Sequence, residues 1–234
     1  MKLALKTLAL ALLVSSSLML SATTVTVGNY DSGNCYPFMC NDSGTSSGVS
    51  IDYQQAYAAS SFSGPITITS ISWETWTGTP GDYVLGGSYD FYWGYSAVGL
   101  ALGSSMASNY NGSATFLGTG IGGFNTGSTL TLSLGSGFTY NPGLGDLILE
   151  IVVSNQDNVP NGTGNGYNWA DYTGAATVRS YCFGGSTTGC TGALPGALVT
   201  TFNGTPAIPE PGTLVMLGSG VLGLAGLLRR KINL

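Results

Sequence analysis

Apolar and polar residues alternate with a period of two through most of the chain between its ends. The pattern is clearest in SYDFYWGYS (88–96), STLTLSLGS (128–136) and GDLILEIVVSN (145–155). Clusters of Gly, Asn, Pro and Asp stand between such segments and are typical of tight turns, for example YNPGLGD (140–146). Many short strands joined by turns predict an all-β fold, a β-sandwich of the jelly-roll type.

Composition decides whether such strands can enclose a core. Hydrophobic residues make up 43% of the chain and aromatic residues 11%, which is ample apolar material even though only 7% of residues are charged. We therefore expect one β-sandwich ectodomain, placed at 23–206. Within it, the stretch DYQQAYAASSF (52–62) is interpreted as one short helix or an irregular entry to the first long strand, PITITSISWETW (65–76).

Charge is distributed unevenly. Between the two ends the sole basic residue is Arg179, against ten acidic residues from Asp31 to Asp171, so ten acids less one base leave a net charge near −9. A surface of this sign repels phosphate backbones, which argues against nucleic acid as a partner. The chain has no His, which removes the commonest general base and any His-containing metal site. We expect no cofactor, no metal and no enzymatic activity.

The N-terminus has the three parts of a secretory signal peptide. Two lysines precede an apolar stretch from Leu8 to Leu20, and the small residues Ser21 and Ala22 follow it. Cleavage is predicted near Ala22, so residues 1–22 are interpreted as a signal peptide whose apolar part is helical. An uncleaved membrane anchor is the alternative.

A second apolar segment lies close to the C-terminus. The 16 residues from Thr213 to Leu228 are all apolar or small, somewhat fewer than the roughly 20 that span a bilayer core. Its four glycines argue against a buried soluble helix, because each costs roughly 1 kcal/mol relative to Ala, whereas membrane helices use Gly for close packing. Arg229, Arg230 and Lys231 follow and favour the cytoplasmic side. The pattern predicts a single transmembrane helix with the β domain outside.

The residues around this segment resemble a known sorting signal. Pro209, Glu210 and Pro211 precede the Gly-rich run and the basic triplet follows it, an order similar to the PEP-CTERM signal, with Ile208 in place of the usual Val. The resemblance implies that exosortase, a membrane-embedded cysteine transpeptidase, recognises the tail 207–234 at the inner membrane and acts near Pro-Glu-Pro. It also implies export, membrane anchoring and, after processing, a cell-surface or extracellular location.

Parts of the β domain are similar to segments of other PEP-CTERM ectodomains. These parts are 53–73, 138–154 and 197–202. The similarity supports the β-sandwich architecture and implies no particular ligand.

Four cysteines form two local groups, Cys35 with Cys40 and Cys182 with Cys190. An even number in an exported chain favours disulfides, for which three connectivities are possible. We expect the two local pairs, because each closes a short loop. A zinc site is the alternative, although neither spacing is the CxxC usual in four-Cys sites.

Two patterns suggest carbohydrate chemistry. Glu74 stands between Trp73 and Trp76, as in a sugar cleft, and a retaining glycosidase needs a second carboxyl group about 5 Å away. The acids available for that role are Glu150, Asp82, Asp90 and Asp146. Sugar rings also stack on aromatic side chains, and one strand carries a stripe of them: Tyr89, Phe91, Trp93 and Tyr95. Such stripes more often form the inner face of a strand.

Two further motifs are weaker. Oxygen ligands for Ca²⁺ are available at Asp31, Asn34, Asn41 and Asp42, but without EF-hand spacing. The GxGxxG match at 118–123 is not placed between a strand and a helix and is expected by chance among 37 glycines.

The sequence therefore favours an exported, exosortase-processed protein of the cell envelope or extracellular matrix, with a non-enzymatic ectodomain of unknown ligand. The first alternative is a carbohydrate-binding module that acts on extracellular polysaccharide. The second is a glycoside hydrolase.

Overall fold

The structure is a computed structural model that describes residues 22–39, 49–75, 83–125, 127–157 and 169–207. The predicted signal peptide, apart from its last residue, lies outside these ranges. So do the Pro-Glu-Pro motif, the predicted transmembrane helix and the basic triplet. Within the described ranges, no helix is long and apolar enough to cross a bilayer.

Strands dominate the described part of the chain. They are β1 (Thr23–Val27), β2 (Ser32–Asn34), β3 (Val49–Tyr57), β4 (Ile66–Glu74), β5 (Tyr83–Val84), β6 (Ser88–Tyr95), β7 (Thr115–Ile121), β8 (Phe124–Asn125), β9 (Thr129–Tyr140), β10 (Leu147–Gln156), β11 (Trp169–Tyr172), β12 (Thr177–Phe183), β13 (Ala197–Leu198) and β14 (Thr200–Pro206). The helices described are single 3₁₀ turns at 59–61, 107–109 and 142–144. The all-β prediction is confirmed, whereas the interpretation of residues 52–57 as helix or irregular entry is wrong, because they belong to β3.

Two antiparallel sheets form the body of the fold. One has four strands in the order β1-β14-β4-β9, and the other has five in the order β12-β3-β10-β6-β7. Smaller sheets are β13-β11-β2 and β5-β8. The inner faces of the two large sheets share one hydrophobic cluster, which is the packing expected of a β-sandwich.

Trp73 lies at the centre of this packing. Its side chain is 1% exposed, and its ring lies 5.1 Å from that of Phe38 and 6.0 Å from that of Phe91. Trp73 comes from the four-stranded sheet and Phe91 from the five-stranded one, so this contact joins the two layers. Large rings that bridge facing sheets contribute much of the buried area of a sandwich core.

The aromatic stripe of β6 faces the same core. Tyr89 and Phe91 are buried, and Trp93 and Tyr95 pack against the cluster from partly buried positions. The Trp93 ring stacks on Phe138 of β9 at 4.4 Å. The interpretation as the inner face of a strand is confirmed, and the stripe is therefore not available to stack sugars.

The first and last described strands lie side by side. β1 pairs with β14, and Thr23 is opposite Gly204. Ile66, at the start of β4, is opposite Pro206, at the end of β14. The chain therefore enters and leaves the sandwich at the same end, which we call the proximal pole.

Candidate functional site

The outer face of the five-stranded sheet carries an unusual group of polar side chains. On β3, Ile51 and Tyr53 point into the core, so the strand's alternation places Asp52 and Gln54 on the opposite face. The same alternation on β10 places Glu150 there, between the core residues 149 and 151. A face of this kind normally meets solvent, yet all three polar side chains are buried.

Two loops cover this face and account for the burial. The first runs from 96 to 114, and the second, from 184 to 194, follows β12. Backbone hydrogen bonds join them, from Met106 N to the Thr187 carbonyl at 3.0 Å and from Ala193 N to the Leu102 carbonyl at 2.7 Å. Between the loops and the sheet lies a cavity of about 670 Å³, whose lining includes Asp52, Tyr92, Met106, Tyr110, Glu150 and Thr187. We call it the acid cavity.

A disulfide fixes the second loop. Cys182 at the end of β12 bonds to Cys190, with 4.6 Å between their Cα atoms, and both pack against Met106. This confirms the predicted pairing of Cys182 with Cys190. Cys35 is also disulfide-bonded, but Cys40, its predicted partner, lies outside the described residues.

Asp52 and Glu150 form a hydrogen-bonded acid pair on the floor of the cavity. In the β3–β10 ladder Asp52 is opposite Val152 and Glu150 is opposite Gln54, so the two acids are diagonal neighbours on one face. Burial, then the charge of Glu150 and the hydrogen bond to it, raise the pKa of Asp52 from 3.8 to about 8. At neutral pH Asp52 is therefore mostly protonated.

Further donors converge on Glu150. The Tyr110 hydroxyl donates to its Oε2 at 2.6 Å, and the Gln54 Nε2 donates to the same atom at 3.2 Å. Gln54 is fixed in turn, because its Oε1 accepts from Asn109 Nδ2 at 2.8 Å and its Nε2 also donates to the Met106 carbonyl at 3.0 Å. With these donors on Glu150, the shared proton of the pair belongs on Asp52, which donates it to Glu150.

The Asp52 carboxyl group receives no donor from the other described residues. Asp52 is 3% exposed, and apart from its hydrogen bond with Glu150 no described N–H or O–H group donates to its buried Oδ1. A buried acceptor without a donor costs roughly 1–3 kcal/mol, which proteins rarely tolerate except where a ligand, water or function supplies the partner. The cavity beside Asp52 is therefore a place for a donor from outside the chain.

Aromatic rings and negative potential complete the site. Tyr92 lines the cavity, and its ring lies 5.3 Å from that of Phe116, which is 53% exposed. Burial, followed by the charges of Asp90, Glu150 and Asp52, raises the pKa of Tyr92. None of the described lining residues is basic. Arg179 of β12 is opposite the core-facing Gln55 and lies over the Tyr181 ring at 5.9 Å, so it belongs to the other face of the sheet.

The structure separates the residues of the predicted glycosidase pair. Glu74 is exposed on the outer face of the four-stranded sheet, where it accepts a hydrogen bond from the Tyr30 hydroxyl. Glu150 lies on the outer face of the five-stranded sheet, across the whole core. The combination of Glu74 with Glu150 is therefore wrong, and Trp73 is core rather than the wall of a cleft. Trp76 lies outside the described residues.

The other acids considered for that pair are engaged elsewhere or are not described. Asp146 accepts from Ala59 N at 2.7 Å, and Asp90 accepts from the Thr119 hydroxyl. Asp82 lies outside the described residues.

The candidate calcium ligands do not assemble in the described residues. Asp31 accepts from the backbone N–H and hydroxyl of Thr173, and the side-chain Oδ1 of Asn34 accepts from Tyr36 N at 3.1 Å. Asn41 and Asp42 lie outside the described residues. In the ranges that the structure covers, no cluster of three or more metal-binding side chains occurs.

Sequence reasoning missed most of the acid cavity. The sequence pattern suggests Glu150 only as a partner of Glu74, and it does not single out Asp52, Gln54 or Tyr110. A signal was present: in IDYQ, the polar residues Asp52 and Gln54 alternate with Ile51 and Tyr53, which is typical of a strand with a polar outer face.

The comparison with known families identifies the C-terminal tail. Residues 207–231 match the family model of the PEP-CTERM protein-sorting motif. The resemblance of the tail to this signal is thus confirmed, and the motif indicates an exported protein that is a target of exosortase. No curated protein and no solved structure matches the chain.

Proposed function

We propose that the protein is exported, held at the inner membrane by its tail, processed by exosortase and then displayed as a non-enzymatic β-sandwich at the cell surface or in the extracellular matrix. One observation carries this proposal: the sorting motif begins at Ala207, directly after β14 ends at Pro206. A motif in this place is accessible at the membrane without any unfolding of the sandwich. Residues 1–22 act as the signal peptide and 23–206 as the exported domain.

The strand order supports the jelly-roll form of the sandwich. Apart from the edge strand β12, the two large sheets contain eight strands: β1, β3, β4, β6, β7, β9, β10 and β14. If these are numbered 1 to 8 along the chain, the four-stranded sheet has the order 1-8-3-6 and the other sheet has the order 2-7-4-5. Two interlocked Greek keys produce this arrangement, which is common among lectin domains.

Sorting is assigned to two groups of residues in the tail. Pro209, Glu210 and Pro211 are read by exosortase, and the apolar run behind them holds this motif at the membrane face. The triplet Arg229, Arg230 and Lys231 stays on the cytoplasmic side, where each basic residue near an anionic surface contributes about 1 kcal/mol.

Neutral residues in place of the triplet are expected to abolish retention and processing. The loss of three charges is worth about 3 kcal/mol, on the order of a hundredfold in the membrane-held fraction. The measurement is the ratio of full-length to processed protein in fractionated cells that express exosortase. The matched control Arg229→Lys, Arg230→Lys, Lys231→Arg keeps the charge and should be processed normally. Unchanged processing of the neutral variant contradicts the proposed role.

We propose a second function, carbohydrate binding in the acid cavity. The observation that favours it is the Asp52 carboxyl group, which lines a cavity that also presents the Tyr92 ring and which no described donor other than Glu150 contacts. Sugars offer hydroxyl donors for such an oxygen and apolar ring faces for an aromatic side chain. The volume of about 670 Å³ is within the usual range for small-ligand pockets.

Loss of the Tyr92 ring is expected to weaken saccharide binding about tenfold, or about 1.4 kcal/mol. The measurement is calorimetric titration of the full-length chain in non-ionic detergent with purified exopolysaccharide, for the wild type and Tyr92→Ala. Leu144→Ala is the control, because Leu144 is an exposed apolar residue at the proximal pole. Equal affinity of Tyr92→Ala and the wild type contradicts binding in this cavity.

A further inference from the structure

We propose that the acid cavity binds the primary ammonium group of a cationic saccharide, an amino sugar that lacks its N-acetyl group. This inference rests on the carbohydrate-binding function proposed above and narrows it to one chemical class. It is carried by two features of the site, the pair of buried acids that lines the cavity and the lack of any described donor to the Asp52 carboxyl group apart from the contact with Glu150.

The first step is the balance of donors and acceptors. An ammonium group has three hydrogen-bond donors and no acceptor, so it suits a site that has acceptors but lacks a donor. Apart from its contact with Glu150, the Asp52 carboxyl group accepts from no described donor, whereas Glu150 Oε2 already accepts from Tyr110 and Gln54. A single ammonium nitrogen placed beside Asp52 supplies the missing donor and keeps two donors for the cavity's hydroxyl groups, such as that of Thr187.

The second step is the charge. The titratable groups that face the pair on its side of the sheet are acids and phenols: Asp90 and Tyr92 on β6, and Tyr110 on the covering loop. On β12, the residue opposite Asp52 is the disulfide-bonded Cys182, and the only basic side chain of that strand, Arg179, lies on the other face. A cation therefore enters a negative potential that no described side chain of the cavity offsets, and a neutral sugar gains nothing from it.

The third step is the proton. In the absence of a ligand, Asp52 carries a proton because two adjacent buried carboxylates strongly disfavour ionisation of both. An ammonium group that contacts both acids replaces that proton: the Asp52 O–H bond breaks, its electron pair stays on the carboxylate, and the proton leaves to the buffer. The ammonium keeps its own protons, so binding exchanges one bound proton for one cation. A neutral hydroxyl group has no such effect.

The walls of the cavity favour the same ligand. The Tyr92 and Tyr110 rings and the Met106 side chain form its apolar and aromatic part. Cations are attracted to aromatic faces, with gains of about 0.5–2 kcal/mol. The apolar face of a sugar ring can pack against the same side chains.

The test compares three probes at about pH 5.5 by calorimetry of the full-length chain in non-ionic detergent. At this pH both Asp52, whose folded-state pKa is about 8, and the amino groups of the probes are almost fully protonated before binding. The probes are oligomers of glucosamine, oligomers of N-acetylglucosamine of equal length, and a linear alkyl diamine. Titrations in buffers of different ionisation enthalpy give the number of protons released. We expect the glucosamine oligomer to bind at least about tenfold more tightly than the acetylated one, with release of close to one proton.

Three other outcomes would contradict the ammonium inference, the saccharide function or both. Equal affinity for both oligomers without proton release overturns the ammonium inference and leaves carbohydrate binding standing. A diamine that binds as tightly as the glucosamine oligomer, with the same proton release, supports an ammonium site but overturns the saccharide function. Binding of none of the probes overturns both.

A pair of variants places the effect at Asp52. Asp52→Asn should abolish the proton release and reduce the affinity for the glucosamine oligomer about tenfold or more. Asp90→Asn removes a charge from the same face of the sheet but not from the cavity lining, and should retain proton release and most of the affinity. Equal losses in both variants indicate general charge attraction and overturn the site.

Discussion

The protein is expected to lose stability between about pH 4 and pH 8, and replacing Asp52 with Asn is expected to remove most of that loss. The folded state raises the pKa of Asp52 from 3.8 to about 8, so between these values the folded protein binds a proton that the unfolded chain has released. The contribution of this proton to the free energy of unfolding is fully present below pH 4. It is lost progressively as pH rises and is gone above about pH 8.

The pH-dependent contribution of Asp52 to the free energy of unfolding is expected to be on the order of a few kcal/mol, since each unit of pKa difference corresponds to about 1.4 kcal/mol. The Asn amide can donate to Glu150 as the protonated Asp52 does, so the variant keeps the hydrogen bond without the titration. The measurement is urea unfolding of the full-length chain in detergent at about pH 5 and about pH 8, for both proteins. Asp90→Asn is the control and should show the wild-type decline. Parallel profiles for the wild type and Asp52→Asn contradict the assignment of the shared proton.

Truncation of Trp73 to Ala is expected to lower the free energy of unfolding by about 3–5 kcal/mol. The ring is fully buried between the sheets, against Phe38 and Phe91, so its removal opens a cavity at the contact of the two layers. Trp73→Phe retains an aromatic ring and should cost clearly less. The measurement is unfolding followed by circular dichroism, which does not depend on tryptophan fluorescence.

The control for this truncation is Phe116→Ala, which removes an exposed ring from the edge strand β7. We expect a change within about 1 kcal/mol. If Trp73→Ala costs no more than this control, the two sheets do not depend on Trp73 for their packing.

Patterns that are local in sequence predicted the corresponding parts of the fold well. The period-two alternation of residues 88–96 and 145–155 is confirmed as β6 and β10, and their apolar sides face the core as expected. The short spacing of Cys182 and Cys190 likewise predicted their bond correctly. Alternation and loop length are properties of a single segment, so one sequence suffices to read them.

The acid cavity depends on relations between distant segments. Asp52 meets Glu150 only because β3 and β10 pair with Val152 opposite Asp52, a register that no local pattern specifies. The burial of both acids requires the loop that carries Tyr110, which has no strand or long helix to predict its path. The sequence does not predict β3 as a strand, because its outward positions hold Asp52 and Gln54, residues that are unusual in buried strands.

The shared location of the first and last strands has a consequence for how the domain meets its surroundings. β3 ends at Tyr57 close to the proximal pole, and Asp52 lies five residues back along this strand, about 17 Å away. Under the proposed function, the domain is attached through its tail at the proximal pole, whereas the acid cavity opens on the side of the five-stranded sheet, away from that pole. We therefore expect attachment at the cell surface to leave the proposed binding site accessible.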